Sequence, residues 1–402
     1  MAKVAVLGYG TVGSGIVEVI KTNQELINQR AGKEIDVKYI LDLRDFPGDP
    51  YESMIVHDVD VIMNDLEIDI VCEAMGGTGA AYAFTKTALS KGKSVCTSNK
   101  ALVAEYGTEL LELAKANNCN YLFEASCGGG IPIIRPLRTS LSPEKIVAIK
   151  GILNGTTNYI LTKMEQEGAD FDTVLKDAQA LGYAEANPEA DIEGYDACRK
   201  IAILSSLAFG KTVCYQDVYT EGITKITVDD FAYMKQLKAT IKLLGMSKEV
   251  DGNYFAMVAP FVLTRENPLY SVDDVMNAIL VTGNTLGDTM YYGAGAGKLP
   301  TASAVVSDVI DCAMHEGIHL ACNWKPEKLP LSDMDQAERK FFVRAADTDE
   351  AQVKELFGEV KMLEPVKADE TAFVTPVMTE KTYKEKAAAL NVISMIRVEV
   401  SL

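Results

Sequence analysis

Residues 3–13 constrain this chain more than any other stretch. Lys3-Val4-Ala5-Val6-Leu7 reads as a short buried strand. Beyond it, Val12, Ile16, Val19 and Ile20 fall on one face of a helix. Between them stands Gly8-Tyr9-Gly10-Thr11-Val12-Gly13, a Gly-x-Gly-x-x-Gly pattern in a strand–turn–helix context. Gly8 permits the tight turn, and Gly10 lets a pyrophosphate approach the backbone. Gly13 lets helix and strand pack closely. Thr11 and Val12 open the helix whose N–H groups face such an anion. The expected class is α/β, beginning with a Rossmann-type dinucleotide-binding domain.

The alternation of strands and helices continues. A second strand, residues 36–43, ends near Asp42 and Arg44, which point opposite ways. Asp42 would accept from a ribose 2′-hydroxyl, whereas Arg44 would pair a 2′-phosphate. Both NAD and NADP therefore stay open, with NADP slightly ahead. Residues 68–75 read as a buried strand running into Gly76-Gly77, and residues 94–97 as one ending in Ser98-Asn99-Lys100. Both loops lie at carboxyl ends of strands, where open parallel sheets bind ligands. Lys100 at a helix start opposes the helix dipole, so a ligand contact weighs at least as much as a plain surface lysine.

Glu124 leads into Ala125-Ser126-Cys127-Gly128-Gly129-Gly130-Ile131-Pro132. Three glycines bring bare backbone close to something; a hard cation held by oxygen ligands and a hinge between domains both account for them. Residues 146–153 read as a strand that stops at Asn154-Gly155-Thr156-Thr157-Asn158, before a helix. The free N–H groups, hydroxyls and carboxamides there suit a small polar ligand, and equally a plain helix cap. Residues 182–200 are acidic. Pro188 and Gly194 make the first part a loop, and Asp196 and Lys200, four apart, share a helix face. Residues 291–301, including Gly297, read as a glycine-rich loop, and residues 302–313 as a helix returning to the first domain. Residues 326–330 read as a linker. The remainder reads as strand, helix, two strands, helix, strand.

The chain has 402 residues and a formal net charge of −18, from 39 Lys and Arg against 57 Asp and Glu. That sign argues against general nucleic-acid or anionic-membrane binding. No apolar run approaches a membrane span of roughly 20 residues. Eight cysteines without Cys-x-x-Cys spacing suit reduced thiols in a cytoplasmic protein, and a strand starting at Lys3 leaves no room for a signal peptide. His315-Glu316-Gly317-Ile318-His319 matches the zinc-peptidase pattern, but Gly317 weakens the helix that pattern needs. With only His57 besides, acid–base work falls to Lys, Asp or Glu.

Taken together, residues 8–13, 73–78, 98–102, 124–132, 151–161, 182–200 and 301–305 resemble homoserine dehydrogenases, and the likeness covers nearly the whole chain. The resemblance implies interconversion of L-homoserine and L-aspartate 4-semialdehyde with NAD(P), in threonine and methionine biosynthesis. It implies three regions: residues 1–128 plus 300–325 for the dinucleotide, 129–299 as an α+β substrate and dimerisation domain, and 338–402 as an ACT-like βαββαβ regulatory domain. Lys100 and Lys200 become the candidate acid/base groups, with Asp191 also catalytic. Glu185, Asp196, Gly155 and Thr156 would bind the substrate. Gly8, Gly10, Thr11, Val12, Gly13, Arg44, Gly76, Gly77, Ser98, Lys100 and Gly297 would bind the cofactor. Glu124 with the carbonyls of Cys127, Gly129 and Ile131 is similar to a sodium-type cation site, and a homodimer or homotetramer is implied. The C-terminal region departs from the threonine-binding pattern, because Thr348-Asp349-Glu350 replaces its Pro-Gly turn. Two other readings are an amino-acid sensor and an oxidoreductase acting on a different semialdehyde.

Overall fold

The computed structural model describes residues 1–399; Val400, Ser401 and Leu402, the end of the expected C-terminal domain, lie outside the described residues. Two compact units form instead of three regions. One comprises residues 1–144, 202–212 and 293–328, and the other residues 145–201, 213–292 and 329–402.

In the first unit, strands Ala2–Leu7, Ile35–Leu41, Ile55–Val56, Ile68–Glu73, Ser94–Thr97 and Tyr121–Leu122 form a parallel sheet in the order 3-2-1-4-5-6. That is the doubly wound dinucleotide-binding order, with its switch point between the first and fourth strands. Val4, Val6, Ile16, Val17, Ile20, Ile40 and Ile70 are buried in its core, each contributing about 1.5–3 kcal/mol by leaving water.

The helix expected at residues 302–313 runs from Lys298 to Met314. It starts four residues early because Gly297 turns the chain at φ +113° and Pro300 is tolerated in a first helical turn. A Cβ on Gly15 would sit 2.9 Å from Lys298 O, so this glycine lets the helix pack on Thr11–Thr22. Two expected loops are partly strand. Residues 291–294 end the strand Gly287–Ala294, and the expected linker overlaps Lys325–Lys328, which pairs with Lys211–Thr212.

The second unit carries a mixed sheet. Met276–Gly283, Ile146–Ile152, Ala239–Val250 and Asn253–Thr264 are successive antiparallel neighbours. Asn391–Val398 joins Asn253–Thr264 in parallel, and the sheet continues through Glu338–Ala346, Glu370–Val374 and Lys361–Leu363. The C-terminal region thus has the expected strand and helix order, with helices Glu350–Phe357 and Glu380–Ala387. Its sheet is continuous with the middle one, which is why no separate third unit forms. A buried ion cluster fastens the join. Arg397 donates to Glu380 at 2.6 and 3.1 Å and to Glu221 at 2.7 Å.

Candidate functional site

The glycine turn has the geometry that its sequence demands. Gly8 sits at φ +92°, a Cβ on Gly13 would fall 1.8 Å from Gly8 O, and the space over Gly10 is open. Gly8 and Gly10 line a cleft of about 700 Å³ that also reaches Asp42, Arg44, Met75 and Phe84. At the switch point of such a sheet this cleft fits an adenosine dinucleotide.

Asp42 and Arg44 are partners rather than rivals. Asp42 accepts from Arg44 Nε at 2.9 Å and Nη2 at 3.1 Å, and from the Tyr9 N–H at 2.9 Å. The Arg44 guanidinium, aided by the main-chain donors, holds the Asp42 carboxyl well below the usual range. Arg44 stays mostly exposed, 5.0 Å from the Phe46 ring centre.

Across the switch point, Gly76 and Gly77 form an exposed turn tied to the next loop by Asn99 Nδ2 donating to Gly77 O at 2.7 Å. Asn99 also caps the helix that Lys100 opens, accepting from the Leu102 N–H. Ser98 is half-buried beside it. Beneath these loops lies Glu73, fully buried and accepting from Thr97 Oγ1 at 2.5 Å and from the Met75 N–H at 2.8 Å. Burial raises its carboxyl to about 7, against those hydrogen bonds.

The three-glycine segment is packed rather than hinged. Ala125–Gly128 is a short buried helix. Cβ atoms on Gly129 and Gly130 would lie 2.3 Å from Gly295 O and 2.7 Å from Pro300 Cβ. Glu124 accepts from the N–H groups of Ile133, Ile134 and Arg135 at 2.6, 2.8 and 2.7 Å. Those donors use three of about four lone-pair directions on the carboxylate. Buried Asp308 accepts from the Glu124 N–H and is pushed up to about 8, by burial first and then by the Glu124 charge.

The His315–His319 segment lies beyond the helix end at Met314, with Gly317 at φ +69°. His315 Nδ1 and His319 Nδ1 meet Asp311 O and Cys119 O, and Glu316 pairs with Lys33. No group of three or more His, Cys, Asp or Glu side chains among the described residues is placed to hold a metal ion. All eight cysteines are free thiols, six of them buried.

In the second unit, the strand Ile146–Ile152 delivers Leu153 and Asn154 to the start of the helix Gly155–Glu167. Asn154 Oδ1 caps that helix, accepting from the Thr157 N–H at 2.9 Å. The other end of the same side chain donates to Asp191 Oδ1 at 2.7 Å and Asp196 Oδ2 at 2.9 Å. Lys200, on the helix Tyr195–Phe209, donates to Asp196 Oδ2 and to Leu153 O, both at 2.7 Å. Asn154, Asp196 and Lys200 are all buried. The structure thus gathers a carboxamide, two carboxylates, an ammonium and a carbonyl.

Among the other expected substrate residues, Thr156 donates to Tyr183 O at 2.6 Å. A Cβ on Gly155 would lie 2.8 Å from Val275 O, so its glycine serves close packing. Glu185 is on an exposed loop. Asn158 is structural, donating to Val272 O and Met276 O. The sequence offers the Asn154 carboxamide to a ligand or a cap and gives it no link to Asp191 and Asp196. Its signal was an Asn at a strand end before a helix: a capping oxygen leaves an amide that needs acceptors when buried.

Sheet order, glycine turn and cleft define a protein of the dinucleotide-binding class. Family comparisons carry this further. Residues 8–124 match the model described as homoserine dehydrogenase, NAD binding domain, and residues 132–310 match that for homoserine dehydrogenase. A homoserine dehydrogenase of Helicobacter pylori is 43% identical over 362 residues, covering 90% of this chain and 84% of its own. The crystal structure of a homoserine dehydrogenase from Thiobacillus denitrificans superposes with a TM-score of 0.90 at 36% identity, covering 99% of this chain and 98% of that one. A hyperthermophilic archaeal homoserine dehydrogenase in complex with NADPH matches with a TM-score of 0.67 at 29% identity, over 78% of this chain and 98% of that one. The chain belongs to the homoserine dehydrogenase family and is an oxidoreductase. No described helix is long and apolar enough to cross a membrane.

Proposed function

We propose that the chain interconverts L-homoserine and L-aspartate 4-semialdehyde, in threonine and methionine biosynthesis, with Lys200 as the proton-transferring group. The observation that carries this is the cluster of buried Lys200, Asp196 and Asn154 with half-buried Asp191 at the start of the helix Gly155–Glu167. Oxidation moves a hydride from the alcohol carbon and a proton from its oxygen; reduction returns both. Bound NAD(P) supplies the hydride chemistry. The protein has to orient the substrate and move one proton. Lys200, aimed by Asp196 and Leu153 O, gives its proton to the aldehyde oxygen in reduction. Asp191, Asp196 and Glu185 offer acceptors to the substrate ammonium. Lys100, which opens the helix Lys100–Ala116, is the second candidate.

The cofactor reading is NADP ahead of NAD. Exposed Arg44 supports it, since a guanidinium pairs a 2′-phosphate bidentately. In the NADP form Arg44 exchanges its bond to Asp42 for one to that phosphate. Arg44→Ala should raise the KM for NADP about tenfold or more, by loss of a charge-assisted pair, and leave that for NAD within a small factor. Asp42→Ala should raise the KM for NAD. Steady-state kinetics with both cofactors decides it: an unchanged KM for NADP in Arg44→Ala moves the reading to Asp42 and NAD.

A weakly held sodium-type ion at Glu124 is supported by the roughly one lone-pair direction its carboxylate keeps after three main-chain donors, with main-chain oxygens of Cys127, Gly129 and Ile131 as its proposed further ligands; a divalent ion needing several carboxylates is not supported. The C-terminal region is read as ACT-like, supported by its βαββαβ order. Its first turn is built on Asp347 at φ +50° and an Asp349 helix cap. A homo-oligomer is supported by the edge strand Gly287–Ala294, which exposes Met290 and Tyr292 beside exposed Leu286.

A further inference from the structure

Lys150, Lys248 and Arg339 face a cavity of about 490 Å³ inside the second unit, between the middle strands and Glu338–Ala346. Nothing in the proposed reaction uses it. Lys150 is answered by Glu399 at 2.5 Å. Lys248 is half-buried and makes no ion pair among the described residues. Arg339 is 4% exposed, and its Nε is buried without a hydrogen-bond acceptor among the described residues. Its Nη1 reaches only Met246 Sδ at 3.7 Å, and its guanidinium lies 5.5 Å from the Phe261 ring centre. Burial, and then neighbouring Arg397, push Arg339 down to about 10; burial also lowers Lys248.

Glu380 and Glu399 act on Arg339 only at longer range, and no described carboxylate pairs with it directly; a desolvated guanidinium so placed is costly unless something anionic completes it. Among the described residues the deep wall carries three cations against the single carboxylate of Glu399, while exposed Glu338 and Asp251 stand at the rim. Met246, Phe255, Val377 and Val398 give the remaining wall an apolar part, beside Asn253 and Gln336. An inorganic anion would leave that apolar surface against water.

We propose that this cavity is a binding site for a small organic carboxylate, its head group on Arg339 and Lys248 and its aliphatic body against Phe255, Val377 and Val398. The site is independent of the catalytic reading: its occupant is recognised by Arg339, which belongs to no part of the proposed active site.

Calorimetry on the full-length protein tests this with 3-methylbutanoate as probe, and with 3-methylbutylamine and inorganic phosphate at matched ionic strength. The carboxylate should bind, the amine should not, and phosphate should bind more weakly. Arg339→Met should weaken the carboxylate about tenfold or more, whereas Arg339→Lys should retain most of the binding. In the absence of ligand, Arg339→Met should raise Tm, because an unanswered buried cation is replaced by an apolar chain of similar length. Equal carboxylate binding by wild type and Arg339→Met overturns the proposal. So does phosphate binding as tightly as the carboxylate, which makes the cavity a generic anion hole. A lower Tm and smaller sedimenting mass in Arg339→Met, with no carboxylate binding to either protein, assigns the guanidinium to a contact with a second copy and overturns it as well.

Discussion

Lys200→Ala should lower kcat by about 10³-fold, within the usual range for losing a general acid or base, and leave the dissociation constant for NADPH unchanged. Lys200 is 8% exposed and donates to Leu153 O and Asp196. The substitution also leaves buried Asp196 without its cation, so the variant loses stability as well as turnover. Lys200→Arg separates the two effects. An arginine can answer Asp196, yet it does not give up a proton near neutral pH. It should recover much of the Tm and little of the turnover. Near-full activity in Lys200→Ala would transfer the proton-moving role to Lys100.

Arg397→Met should destabilise the second unit by about 3–5 kcal/mol, the range for removing one partner of a buried ion pair. Arg397 is 1% exposed and Glu380 is fully buried, so truncation leaves an interior carboxylate with the longer Lys384 contact at 3.7 Å in place of two guanidinium hydrogen bonds. Glu221 and the Tyr219 ring, 5.0 Å from the guanidinium, lose the same cation. Arg397→Met with Glu380→Leu removes both buried charges and should recover most of the loss, the non-additivity expected of direct partners. Denaturant unfolding checks this. If the double variant is as unstable as the sum of the single ones, the two side chains do not act as a pair. The same cluster explains why the C-terminal region merges with the middle sheet: its last strand is both hydrogen-bonded to Asn253–Thr264 and fastened through Arg397.

What could be read from the sequence followed the range of the interactions. The Gly8–Gly13 turn and the Asp196–Lys200 pair are local, and the residues alone placed them. The three glycines at 128–130 announced a close approach, but what approaches Gly129 and Gly130 is Gly295 and Pro300, more than 160 residues onward. Sequence spacing therefore left the hinge reading open. Asn154 meets Asp191 across 37 residues and Asp196 across 42, so its capping role was visible and its second role was not. In sequence Asp42 and Arg44 compete because each suits a different ribose; at the end of a strand they are close enough to bind each other. The joined sheet was hidden because Phe261–Arg397 and Val262–Val398 pairings leave little trace in the apolar pattern of either strand.

The most direct measurement is nicotinamide reduction by the purified protein with L-homoserine, NAD and NADP being compared side by side. Turnover is expected with L-homoserine, more efficient with NADP, and none with hydroxy amino acids one carbon shorter or longer. Binding of both cofactors with reduction of neither would contradict it and make the chain an amino-acid sensor built on a dehydrogenase fold.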